Sequence, residues 1–156
     1  MRLYVASRAA IILTTVVLAL GGCGSDEEVA VKAISASEDG IAVGGYDVVS
    51  YFDGGAQKGT TEHSTEWNGA TFHFASGAHR DAFTQDPERY IPQYGGYCSF
   101  GMGFGKAATA DPEAFIVQDD KLHLNASPMV LRFWRWFGNS EKSEAKWQAL
   151  RAEAGI

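Results

Sequence analysis

Apolar and polar positions alternate on both sides of Asn68-Gly69, across residues 62–67 and 70–74. That dipeptide between alternating stretches predicts a β-hairpin with a two-residue loop. The loop sets a register in which Trp67 faces Ala70, Thr65 faces Phe72 and His63 faces Phe74, so Trp67, Phe72 and Phe74 form the core face. Residues 115–118 and 121–125 alternate in the same way about Asp119-Asp120 and predict a second, smaller hairpin. There His123 stands between Leu122 and Leu124, on the face that the alternation assigns to solvent.

Other stretches carry helical spacing. Ser76 is placed to cap a helix in which Ala78 with Ala82, and His79 with Phe83, are four apart and make an inward stripe. Asp86-Pro87 opens a second short helix, and Asp111-Pro112-Glu113 repeats that capping chemistry. Ser127-Pro128 caps a helix with Val130, Phe133, Trp134 and Phe137 as its apolar stripe and Arg132 and Arg135 off it. After Gly138-Asn139-Ser140 a last helix runs through Trp147 and Leu150. Residues 46–52 fit a helical turn or a short strand equally well and end at Asp53-Gly54-Gly55. Phe100, Met102 and Phe104 alternate with Gly101, Gly103 and Gly105, which predicts an extended segment with one bare face.

The N-terminal stretch reads as an address. Arg2 and Arg8 precede a largely apolar run over residues 9–20, and Gly21-Gly22-Cys23 closes it. The ending looks like a bacterial lipobox, with Cys23 lipidated. The expected organisation is a signal peptide over 1–23, a flexible tether over 24–39, a folded domain over 40–126 and a helical extension over 127–156. The expected location is the bacterial cell envelope, on the extracytoplasmic side, the periplasmic side in a Gram-negative cell. The partners are then the membrane, through the lipid anchor, and a metal-handling or other envelope protein. With a net charge of −6 and scattered lysines and arginines, no basic footprint for nucleic acid is present.

If Cys23 carries lipid, Cys98 has no intramolecular disulfide partner in a compartment where thiols usually pair. It is then a packed core thiol, a metal ligand, a nucleophile or half of an intermolecular disulfide. Thiolate, imidazole and thioether from Cys98, His79 and Met102 would together favour copper, Cu(I) especially. A nucleophilic Cys98 lacks a resolving cysteine and an identifiable orienting group, so the chain reads as a binding module more than as an enzyme. A third reading needs no chemistry at Cys98: a lipid-anchored interaction module that uses Tyr94, Tyr97, Phe100 and Phe104 as a contact patch. Among the other histidines, His63 falls on the apolar hairpin face and His73 on the polar one.

Gly45-Tyr46-Asp47, Trp67-Asn68-Gly69, Asp86-Pro87-Glu88-Arg89-Tyr90 and Gly95-Gly96-Tyr97-Cys98 follow one another in an order that resembles the YHS domain family, in its exported stand-alone form. Tyr46, Asp47, Gly95, Gly96 and Tyr97 are the motif positions. The resemblance implies a small α+β domain related to treble-clef metal modules. Such domains occur in copper- and heavy-metal-exporting ATPases and beside some oxygenases, and a metal-binding role is inferred for them. The metal-associated members carry a Cys-Ser-x-x-Cys pattern where the hairpin meets the helix; its cysteine positions are Ala75 and His79 in this chain.

Overall fold

The computed structural model describes residues 31–156. The signal peptide, Cys23 and the first part of the expected tether lie outside the described residues.

The fold is α+β. A 3₁₀ turn (Val43–Gly45) and a one-turn helix α1 (Ser50–Asp53) lead into hairpin β1 (Thr60–Trp67) and β2 (Ala70–Phe74). Helices α2 (Gly77–Gln85) and α3 (Pro87–Tyr90), a 3₁₀ turn (Gln93–Gly96) and α4 (Ser99–Met102) follow. A second hairpin, β3 (Asp111–Gln118) and β4 (Lys121–Asn125), precedes α5 (Pro128–Phe137) and α6 (Ser140–Ala154). Both sheets are two-stranded and antiparallel. No helix among the described residues is long and apolar enough to cross a membrane.

Two cores hold these pieces. The first gathers Phe72, Phe74, Phe83, Val48, Leu122 and Leu124 between the hairpins. The second gathers Tyr94, Tyr97, Met102, Trp134 and Trp147 where the 3₁₀ turn and α4 meet α5 and α6. Strand β4 separates them: Leu122 and Leu124 enter the first core, while His123 packs 4.9 Å, centroid to centroid, from Trp134 in the second. Residues 94–102 and the C-terminal helices therefore share one core rather than forming a domain and an appendage.

The first hairpin keeps the expected register at Trp67↔Ala70 and Thr65↔Phe72. Beyond Ser64↔His73 the register shifts, and Phe74 pairs with Thr60 instead of His63. A bulge inserts unpaired residues and re-aims the strand, and a two-residue loop fixes register only as far as the first bulge. The caps at Ser76 and Ser127 form as expected, accepting from the backbone N–H of His79 and Val130. In α2, Phe83 is buried and His79 half-buried, while Ala78 faces solvent. Asp111-Pro112 does not cap a helix: it opens β3, with Asp111 opposite Asn125, because pairing with β4 outweighs the local capping signal.

Three further expectations give way. Residues 99–102 are helical, not extended, and Gly105 at φ +73° closes the turn, with Lys106 N–H bonding Gly101 C=O and Gly105 N–H bonding Met102 C=O. That bond pair is a Schellman ending, for which a left-handed glycine just past the helix is the usual residue. The expected tether is folded from residue 31 onward: Ile34 is buried in the first core, and Ser35 N–H bonds Gly95 C=O at 2.7 Å. Gly95 is required there, since a Cβ would overlap the Ala33 carbonyl. In α5 the stripe is split: Trp134 points inward, whereas Phe133 and Phe137 join Met129 and Trp136 in solvent.

Candidate functional site

Asp47 is fully buried, and both carboxylate oxygens are used. Oδ1 accepts from Val49 N–H at 2.9 Å and Ser50 N–H at 3.3 Å, which fixes the start of α1. Oδ2 accepts from Ala75 N–H at 2.9 Å and from His79 Nδ1 at 2.6 Å. One carboxylate thus joins α1, the end of β2 and the first turn of α2. Ala75 and His79, the two positions at which the resemblance places cysteines, converge on a single oxygen atom.

Because a carboxylate only accepts, the proton shared with Asp47 sits on Nδ1 of His79. Nε2 then points away from Asp47 and lies 3.6 Å from Oδ2 of Asp53, at the C-terminal end of α1. His79 and Asp53 line a cavity of about 400 Å³ with Ser50, Gly54, Gly55, Ala56 and Gln57. An imidazole whose second nitrogen is held by a carboxylate is the usual arrangement of a metal-ligating histidine. Nitrogen and oxygen ligands each about 2.1 Å from one ion stand roughly 3–3.5 Å apart, so a small rotation of the exposed Asp53 side chain would satisfy an ion. The donor set fits a borderline metal with open positions and does not fit a closed four-ligand site. Among the described residues, no three His, Cys, Asp or Glu side chains gather as a metal-holding group. The larger groove beside Trp67 and Trp147, about 510 Å³, is lined by no histidine or cysteine.

Cys98 and Met102 are elsewhere. Cys98 is buried, and its Sγ accepts from Gly101 N–H at 3.4 Å and Ala126 N–H at 3.3 Å, so it caps α4. Met102, one turn on, is fully buried in the second core. His79 takes neither as a partner; its partners are Asp47 and Asp53. The motif glycines and Tyr97 serve packing: Tyr97 OH accepts from Lys32 N–H at 3.0 Å, and its ring lies 5.9 Å from Trp147. Tyr46 OH donates to Glu113 at 2.8 Å, a bond that raises its pKa along with lesser burial and charge effects. Burial likewise pushes up Tyr51, whose OH bonds the Pro112 carbonyl.

Sequence reasoning missed His123. Assigned to solvent, it is buried beside Ser99, with Nδ1 3.2 Å from Ser99 Oγ. Burial, reinforced by Lys121 and opposed by Asp119, pulls its pKa down to about 4. It is a neutral packing group at pH 7, and α5, laid over the second face of β4, is what hides it. Tyr94 and Tyr97 are core residues too, so of the expected contact patch Phe104 is exposed and Phe100 half-exposed.

A family comparison matches residues 48–94 to the YHS domain, between the Tyr46-Asp47 and Gly95-Gly96-Tyr97-Cys98 motifs. No curated protein and no solved structure matches the chain.

Proposed function

Starting from a chain that carries a YHS domain over residues 48–94, we propose that it is an envelope metal-handling protein that binds copper at Nε2 of His79, with Asp53 as the neighbouring ligand. The observation that carries this reading is the 2.6 Å bond from His79 Nδ1 to buried Asp47, which leaves Nε2 facing Asp53 at the cavity. Asp47 sets the tautomer and the orientation of the ring, and its own position is fixed by three backbone N–H groups.

Imidazole and carboxylate suit Cu(II) better than Cu(I), which prefers sulfur. Ligation by Cys98 and Met102 would require Sγ to give up two N–H donors and the second core to open. Imidazole is therefore the better ligand than thiolate. Lipidation at Cys23 would hold the domain on the extracytoplasmic face of the membrane, within reach of a metal-handling envelope partner.

The test is titration of the protein with Cu(II), followed by electron paramagnetic resonance and by competition with a chelator. Nitrogen ligation is expected in the spectrum, with binding lost in His79→Ala, weakened in Asp53→Ala and retained in Cys98→Ser. Near-UV circular dichroism checks that each variant is folded. Binding that survives His79→Ala and disappears in Cys98→Ser would return the site to the thiol.

A further inference from the structure

The outer surface of the second core is apolar and cationic. Phe104, Met129, Trp136 and Phe137 are 62–69 % exposed and Phe133 is 42 % exposed. The aromatic residues are continuous: Phe100 lies 5.4 Å from Phe104 and 6.1 Å from Phe133, Trp136 lies 6.3 Å from Phe137, and Phe104 and Phe137 line one small apolar slot of about 140 Å³. Cations are laid on this surface. Lys142 Nζ stands 5.0 Å over the Phe104 ring, and the Arg132 guanidinium 5.8 Å from the Trp136 ring. Arg135 and Lys106 are also exposed.

We propose that this face docks on an anionic lipid bilayer, with Trp136, Phe137, Phe133 and Phe104 entering the interfacial region and Arg132, Arg135 and Lys142 meeting the headgroups. An exposed helix with aromatics and arginines is the composition of interfacial membrane segments, and tryptophan favours that depth. Charge selects a bilayer over a second copy of the chain. The protein carries −6 overall, yet residues 126–140 hold Arg132 and Arg135 and no acidic residue before Glu141, which neighbours Lys142, and residues 97–110 hold Lys106 and none before Asp111. An anionic surface thus attracts this face and repels the rest, whereas two copies would bring like charges together. Val31 packs against this core, eight residues beyond Cys23 in the sequence. Docking is independent of the copper site, and the lipid anchor would add proximity without being required.

The experiment uses the full chain with vesicles of phosphatidylcholine and phosphatidylglycerol whose acyl chains are brominated, read by tryptophan fluorescence. Trp134 and Trp147 are buried and Trp67 half-buried, so contact quenching reports Trp136. The expected result is quenching that disappears in Trp136→Phe, and that weakens in the Arg132→Glu/Arg135→Glu double variant and in vesicles of phosphatidylcholine alone. Equal emission in brominated and unbrominated vesicles would overturn the proposal, even where the protein sediments with them, since sedimentation alone reports the N-terminal anchor. Absence of quenching together with a dimer in vesicle-free buffer that dissociates in Phe133→Ser would assign the face to a second copy instead.

Discussion

Burial of His123 against Trp134 and Ser99 gives the protein a pH signature. An unfolded chain takes up the proton near the ordinary histidine value of about 6.5, whereas the folded one does so only near 4. Between those values the unfolded state binds more protons, so stability falls as pH falls through that window. Above about 6.5 the contribution is complete, and below about 4 it is gone. The difference amounts to something on the order of 3 kcal/mol. Urea denaturation at pH 7.5 and pH 4, with His123→Gln run alongside, isolates it from the carboxylates. The variant should lose the part of the pH dependence that His123 supplies, and parallel pH profiles for the two proteins would mean that His123 is accessible to protons in the fold. At this scale the sequence shows residue types better than environments. Asp47 stands out as part of a motif, but its four hydrogen bonds come from α1, β2 and α2 at once, and no local spacing encodes that convergence. Cys98 stands out for its chemistry, yet its sulfur is occupied in capping α4.

At the scale of the element, local signals were legible wherever a turn or cap is made by adjacent residues. Asn68-Gly69, Ser76, Pro87, Ser127-Pro128 and the Asp119-Asp120 hairpin all appear where the sequence places them. Misreadings arose where a second partner decides. Gly101, Gly103 and Gly105 mimic one bare strand face, but Gly105 terminates a helix. The residues 121–125 alternate as a strand with one wet face, but α5 covers that face. Asp119 and Asp120 adopt φ +53° and +55°, left-handed values for two residues that carry a Cβ. Left-handed backbone costs a non-glycine residue about 1–2 kcal/mol, partly offset by the greater unfolded-state freedom of glycine. Asp120→Gly should therefore raise stability by about 0.5–1 kcal/mol, measurable as a higher urea midpoint with unchanged slope. A lower midpoint would mean that the aspartate side chain contributes more to the turn than its backbone strain removes.

At the scale of the molecule, the decisive unit is the pair of cores and the strap that joins them. Residues 31–39 have the composition of a tether, with Glu38, Asp39 and two serines, and only Val31 and Ile34 as larger apolar residues. Those two are enough. Val31 packs on the second core and Ile34 is buried in the first, Lys32 N–H bonds Tyr97 OH, and Ser35 N–H bonds Gly95 C=O beneath the carbonyl of Ala33. Burial of an isoleucine is worth about 1.5–3 kcal/mol and each hydrogen bond about 1 kcal/mol. The strap thus contributes roughly 3–5 kcal/mol, a large share of the 5–15 kcal/mol typical of a domain. Two chains test this, one beginning at Ala30 and one at Gly40. The shorter should melt lower by about 10–20 °C, with no loss of the hairpin signals that lie wholly within it. A melting temperature within about 2 °C of the longer chain would show that residues 31–39 rest on the fold without holding it. The strap also passes over Gly95 on one side and reaches the second core on the other. Removing it should therefore weaken Trp136 quenching by bilayers only as far as it loosens the second core, a link checked by comparing the two chains in the same vesicles.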